Sequence, residues 1–399
     1  MFKKQLGALF CGMLFALVTL PVESGFAAIK NGQSCSKLGE VRSQGGKKFT
    51  CVKSGVSKKW RANSPATALP SPMKPPASPS PTASREPVAS PAISAISLTE
   101  AGGFNVYLVA HQRVVEETAQ LRSTPTFDMT FSPNVDPIRG KEHLKFLNEG
   151  ARIWSGEWLP QQSVTIAIVD YRDYGWISPI WSEFGLKGPP FNDVNHLAAS
   201  GPQCNQGSAS SNALPFFWGC LPSQGQTNFI GLEKFAPHEY MHLVQYGVVF
   251  HDNAKKIYNV PTFFAEGSAD FYGVTAVISG YGVKDVLTPY WKEYLKRGYM
   301  GEDANSLLRT ASAEKVKELI LDSMKGGRTV SSHSYYTGSY ATARLVAAGG
   351  HKKFASYLRE SGKLGDPFAA FIAIYGITFE EFAAIIAPEI RKLASENLL

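Results

Sequence analysis

The chain is expected to fold as an α+β protein, with a small mixed sheet in its first half and a mostly helical second half. Three observations carry this expectation. Residues Val164 to Val169 form an unbroken run, Val-Thr-Ile-Ala-Ile-Val, of strand length and strand composition, as a strand buried on both faces requires. From Pro237 onward, apolar residues recur at helical spacing in segments near 237–247, 262–278, 284–298, 312–324, 339–348, 352–360 and 378–395. Hydrophobic residues make up 44% of the 399 positions and aromatic residues 12%, enough for a sizeable core.

The N-terminal part differs in character. Residues 1–27 read as a signal peptide. Lys3 and Lys4 precede an apolar run from Leu6 to Leu20, Pro21 breaks it, and Gly25-Phe26-Ala27 offers small residues at the cleavage positions. The run is short for a membrane span, and no later stretch is long and apolar enough to make one. Cys11 sits in the run behind the bulky Phe10, which does not suit a lipidation site.

Residues 28–63 read as a small basic module. They hold nine Lys or Arg against the single acid Glu40. Residues 1–27 add one net positive charge, so the overall +7 leaves −2 for everything after residue 63. The basic character therefore belongs to the module. An anionic cell-wall polymer or lipid headgroups would suit it, and so would a solvated face. No nucleic-acid partner is expected. Lys48-Phe49-Thr50-Cys51-Val52 alternates as a strand does, and Lys59-Trp60 suits a second one.

Residues 64–96 form a Pro/Ser-rich linker, an extended and semi-rigid spacer with eight prolines between Pro70 and Pro91. The main domain spans 97–399. Within it, Gly140–Trp158 is helical in pattern, a long Gly- and Pro-rich excursion runs from Gly185 to Gln226, and Thr227–Gly231 suits a short strand. Leaving out Cys11, four cysteines remain, and an even number in an exported chain implies disulfides. The local pairs are Cys35–Cys51 and Cys204–Cys220.

The stretch Pro237-His238-Glu239-Tyr240-Met241-His242 carries the chemistry. Two histidines four apart share one helix face, and their imidazoles can meet one zinc ion at about 2.0–2.1 Å. Pro237 suits a first helical position. Glu239 is placed to act as general base at the open coordination position. A helix with two histidines is unremarkable without a third ligand, so that ligand decides. His251 does not fit a metzincin pattern, because Gln245 and Val248 stand where that pattern has Gly and His. The other candidate is Glu266, twenty-four residues after His242, in Phe263-Phe264-Ala265-Glu266-Gly267-Ser268-Ala269-Asp270-Phe271-Tyr272-Gly273. Glu266 and Asp270 share a helix face, and Gly267, Ala269 and Gly273 let that helix approach the first one closely.

His-Glu-Tyr-x-His followed by Glu-Gly-x-Ala, with Tyr272 one place late, resembles the gluzincin metallopeptidases, which include thermolysin, the aminopeptidase N family and bacterial collagenases. The resemblance covers roughly 140–395 and implies Zn2+ held by His238, His242 and Glu266, with Asp270 orienting His238. It also implies an oxyanion donor from a later tyrosine in a Tyr-x-x-Gly stretch. Tyr335 with Gly338 fits that register, and Tyr336, Tyr340 and His333 are close rivals. The upstream Gly-x-Met-Glu-Asn stretch with which aminopeptidases grip an amino terminus is missing between Asp170 and His238, and Glu233 is too near the zinc helix to replace it. That departure favours an endopeptidase.

The expectation is thus a secreted or cell-surface zinc metallopeptidase acting on a peptide or protein substrate. Two other classes stay open. One is a non-catalytic surface or wall-binding protein whose working parts are the module and the spacer. The other is a zinc hydrolase of a non-peptide bond.

Overall fold

The computed structural model describes residues 33–37, 41–44, 47–54, 57–62, 96–183, 207–209, 215–221, 229–250, 260–282, 284–297, 307–325 and 332–396. The chain divides into two compact units, Met1–Val88 and Ala89–Leu399.

In the first unit, β1 (Val41–Gln44), β2 (Lys47–Ser54) and β3 (Ser57–Ala62) form an antiparallel sheet in that order. The pairing sets Cys51 opposite Trp60. With Phe49 they make a miniature core, which the Cys35–Cys51 disulfide closes and the Arg42 guanidinium covers, 5.4 Å from the Trp60 ring. So short a chain buries little apolar area, and the cross-link compensates by restricting the unfolded state.

The second unit is mixed α/β, mostly helical, with one four-stranded sheet in the order β4-β5-β7-β6. Strands β4 (Phe127–Phe131), β5 (Val164–Asp170) and β7 (Phe216–Leu221) run parallel, and β6 (Gly207–Ala209) pairs antiparallel to β7. The apolar run at 164–169 is the inner strand β5, buried almost throughout. Helices α1 (Asn105–Glu117), α2 (Pro137–His143), α3 (Leu147–Trp154) and α4 (Tyr174–Glu183) belong to this half.

Among the described residues eight further helices follow: α5 (Phe229–Phe250), α6 (Thr262–Tyr281), α7 (Leu287–Arg297), α8 (Ala313–Lys325), α9 (Ser332–Gly349), α10 (His351–Leu364), α11 (Pro367–Tyr375) and α12 (Phe379–Ser395). Helix α6 is apolar or small nearly all round, and fifteen of its twenty residues are buried. It is the central rod of the helical half, as a helix without a polar face must be.

Some expectations need correction. Phe229, Ile230 and Gly231 open α5 instead of forming a strand, so Pro237 lies inside that helix and not at its first position. Lacking an N–H, Pro237 leaves the Glu233 carbonyl without its usual helical partner. The segment 140–158 holds two helices, broken around Leu144–Phe146. Helix α9 begins seven residues before the expected 339, which places Tyr335 and Tyr336 on it. Helix α11 was not expected, although Asp366 caps it and Pro367 opens it. Among the described residues no single helix is long and apolar enough to cross a membrane; the pair α11 and α12 meets the length only jointly, across a 78° bend.

Candidate metal centre

Helices α5 and α6 lie against each other in opposite directions, and the contacts run as a ladder. Lys234 meets Asp270, His238 meets Asp270 and Glu266, His242 meets Glu266, and Gln245 meets Ala265 and Ser268. Gly273 permits the approach, because a Cβ there would stand 3.1 Å from the Lys234 carbonyl and 3.4 Å from the His238 backbone. Gly267, also expected to serve this contact, faces α9 instead.

The ladder brings three donor atoms together. His238 Nε2 and His242 Nε2 are 3.2 Å apart, and Glu266 Oε2 is 3.4 Å from the first and 3.5 Å from the second. Bonds of about 2.0–2.1 Å in tetrahedral geometry put neighbouring donors roughly 3.3–3.4 Å apart. The triangle therefore has the size of one face of a zinc coordination tetrahedron, and this group can hold a metal ion. The donor chemistry, two imidazoles and a carboxylate, suits zinc in a site with one open position.

Each histidine is oriented from behind. His238 Nδ1–H donates to Asp270 Oδ1 at 2.7 Å, and His242 Nδ1–H donates to Gln245 Oε1 at 3.0 Å. Gln245 is itself fixed, since its amide donates to the Ala265 carbonyl at 2.7 Å and to Ser268 Oγ at 2.9 Å. Both Nε2 atoms consequently face the metal position.

The electrostatics follow from crowding at low exposure. Burial works against charge on His242, but the facing Glu266 carboxylate outweighs it and lifts the pKa to about 9. Burial also opposes charge on Glu266, and the two histidines overcome it, holding that carboxyl well below its usual range. Glu239 goes the other way, because burial pushes its carboxyl up. A cation arriving at the triangle would displace the imidazole protons and stabilise both carboxylates. Glu239 is buried, and among the described residues its Oε2 has no hydrogen-bond partner. Such an orphaned oxygen is costly unless something else occupies the site.

The rival tyrosines separate cleanly. Tyr335, 9% exposed, lies with its ring centroid 6.3 Å from that of His238 and nearly parallel to it. Tyr336 is fully buried, 6.4 Å from the Tyr294 ring. The Tyr340 hydroxyl donates to Glu389, which also caps the Gly102 and Gly103 amides. His333 lies with Nε2 3.5 Å from Ser323 Oγ. Tyr335 is thus the candidate seen against the residues that can hold a metal. Cys220 is buried on β7 and disulfide-bonded, while Cys204 lies outside the described residues, as does His251.

Sequence reasoning missed three participants. Gln245, which in the sequence only marks a departure from the metzincin pattern, holds His242 from behind. Lys234 pairs with Asp270 in the buried space behind His238. On β6, a Cβ at Gly207 would stand 2.8 Å from Glu239 Oε1 and overlap the Phe235 ring. Spacing along one helix finds neither of the last two, because both relationships run between elements.

No family model matches the chain, and no curated protein or solved structure matches it either.

Proposed function

We propose that the chain is an exported zinc-dependent peptidase of the gluzincin type that cleaves within extended peptides. One observation carries this reading: two histidines and a glutamate form a triangle of tetrahedral size beside a buried glutamate with an orphaned oxygen. Among metal-site arrangements, a ligand set with an open position and an adjacent unligated carboxylate is the pattern of hydrolysis.

A bound zinc ion would acidify a coordinated water and polarise the scissile carbonyl. Glu239 would accept the proton of the attacking water and return it to the leaving amine. Burial supports that role, because it raises the carboxyl above its usual value and so makes it a better proton acceptor. The Tyr335 hydroxyl would donate to the carbonyl oxygen as negative charge develops there. Strand β6 ends the sheet among the described residues, and Gly207 lies against Glu239. An extended substrate added to that edge would run past the general base. The absence of an amino-terminus clamp at Glu233 agrees with cleavage inside a chain, since Tyr281 and Tyr290 occupy that carboxylate. The Cys35–Cys51 disulfide supports export to an oxidising compartment.

The test is a mixed peptide library digested by the zinc-loaded protein and by Glu239→Gln, with products read by mass spectrometry. Internal cleavage by the wild type alone is expected. Equal products from both proteins would remove Glu239 from the mechanism, and none from either would favour a binding role.

A further inference from the structure

The buried face between α5 and α6 holds a cation that the proposed reaction does not use. Lys234 is only 3% exposed at its side chain and Asp270 not at all, yet the two are ion-paired. Asp270 Oδ1 is shared between the Lys234 ammonium and His238 Nδ1, while Oδ2 accepts from the Tyr294 hydroxyl at 2.6 Å. Three donors on two helices, Lys234 and His238 on α5 and Tyr294 on α7, thus fix both oxygens of one carboxylate of α6. The ammonium also sits 5.5 Å from the Tyr294 ring centroid, so the aromatic closes the pocket over the pair.

Lys234 stands one helical turn before His238, on the same face of α5. It therefore reaches Asp270 from the same helix that carries the metal ligand. We propose that Lys234 is a positioning residue of the metal centre: by holding Asp270 in place it aims His238 Nε2 at the metal. The proposal deepens the peptidase reading and rests on it.

The physical argument concerns an uncompensated charge. A carboxylate with no exposure is strongly unfavourable without a partner, and removing one member of a buried ion pair leaves the other stranded. Without Lys234, Asp270 keeps its bonds from His238 Nδ1 and the Tyr294 hydroxyl but loses its buried counter-charge, and the carboxylate shifts toward water or other donors. His238, bonded to the same oxygen, shifts with it. Loss of such an outer partner typically weakens metal binding by about 10- to 100-fold. A lysine that served only to fill the core would not act through Asp270, and its replacement would leave the metal equilibrium alone.

The experiment is a double-mutant cycle on zinc affinity, measured by competition with a chromophoric chelator on the full chain. The proteins are wild type, Lys234→Met, Asp270→Asn and the double variant. The cobalt-substituted absorption spectrum serves as a second readout of ligand geometry. Lys234→Met is expected to bind zinc about tenfold or more weakly, with an altered cobalt spectrum. The double variant should bind no more weakly than Asp270→Asn alone, because both residues act along one route. Should Lys234→Met fail to fold, Lys234→Gln, which removes the charge but keeps a donor toward Asp270, takes its place: weaker zinc binding with an altered cobalt spectrum is expected, and wild-type binding overturns the proposal. Unchanged or tighter binding by Lys234→Met overturns the proposal, and so do losses that multiply in the double variant. A wild type that binds no zinc overturns the peptidase reading itself, an outcome distinct from zinc binding that Lys234→Met leaves intact.

Discussion

Gly267 and Gly338 meet backbone to backbone where α6 crosses α9. A Cβ on Gly338 would lie 3.0 Å from the Gly267 Cα, and one on Gly267 would lie 2.6 Å from the Ser339 amide and overlap the Gly338 backbone. Gly267 directly follows Glu266, one of the three residues that can hold the ion, and Gly338 lies one turn after Tyr335. The close crossing is what brings a tyrosine from a helix remote in sequence to the metal triangle. Gly338→Ala should therefore force the helices apart at a cost of about 1–3 kcal/mol, and turnover should fall with it. Thermal unfolding and peptide turnover check this together; an unchanged melting temperature would contradict the packing described.

Tyr335→Phe should lower turnover by about a hundred- to a thousandfold, the effect of removing one oxyanion donor, while zinc affinity stays near the wild-type value. Tyr336→Phe and Tyr340→Phe should leave the chemical step nearly unchanged. Tyr336 is fully buried and the Tyr340 hydroxyl is committed to Glu389. Rates and zinc content of the three variants, measured side by side, give the answer. A large loss confined to Tyr336→Phe or Tyr340→Phe would reassign the donor.

Gly207→Ala should impair turnover without releasing metal. The added methyl would stand 2.8 Å from Glu239 Oε1 and against the Phe235 ring, so the general base must move. Misplacement by about 1 Å can cost roughly a hundredfold in rate, whereas the three ligands are untouched. Turnover measured beside zinc stoichiometry separates the two effects, and a normal rate would show that β6 does not constrain Glu239.

The metal triangle was legible in the sequence because each half of it is a local pattern. His238 and His242 are one turn apart on a helix, and Glu266 and Asp270 repeat that spacing on the next. The inner strand was legible because Val164–Val169 is apolar on both faces. What stayed hidden depends on contacts between elements. Lys234 looks like any surface lysine until α6 supplies Asp270. Gly207 sits in a Gly- and Pro-rich stretch with no periodic signal, and only strand pairing with β7 sets it beside Glu239. The early start of α5 was obscured by Pro237, which marks a helix opening in most sequences and here sits inside one.

Acid should destabilise the metal-free protein between about pH 6.5 and pH 4. Burial holds His111 down to about 4, and His143 and His351 down to about 3, where Arg139 and Lys352 respectively add to the effect. The unfolded chain takes up these protons near pH 6.5 and the folded chain does not. Stability therefore rises with pH in this window and is lost as pH falls, by up to about 1.4 kcal/mol per unit for each histidine. His238 and His242, both raised, act in the opposite sense above pH 6.5, and Glu239, raised by burial, offsets part of the effect of the three histidines within the window. Urea midpoints of the apo protein at pH 6.5 and pH 5 check this, and equal midpoints would mean that the three rings are not buried neutral.

Everything rests on the triangle of His238, His242 and Glu266, and metal content reads it directly. After saturation with zinc and removal of excess, elemental analysis should find one equivalent per chain in the wild type and in Glu239→Gln, because Glu239 is proposed as the base and lies outside the group that can hold the ion. His242→Ala should retain well under one equivalent. A wild type holding far less than one zinc per chain, or a His242→Ala variant holding a full equivalent, would contradict the metal centre described.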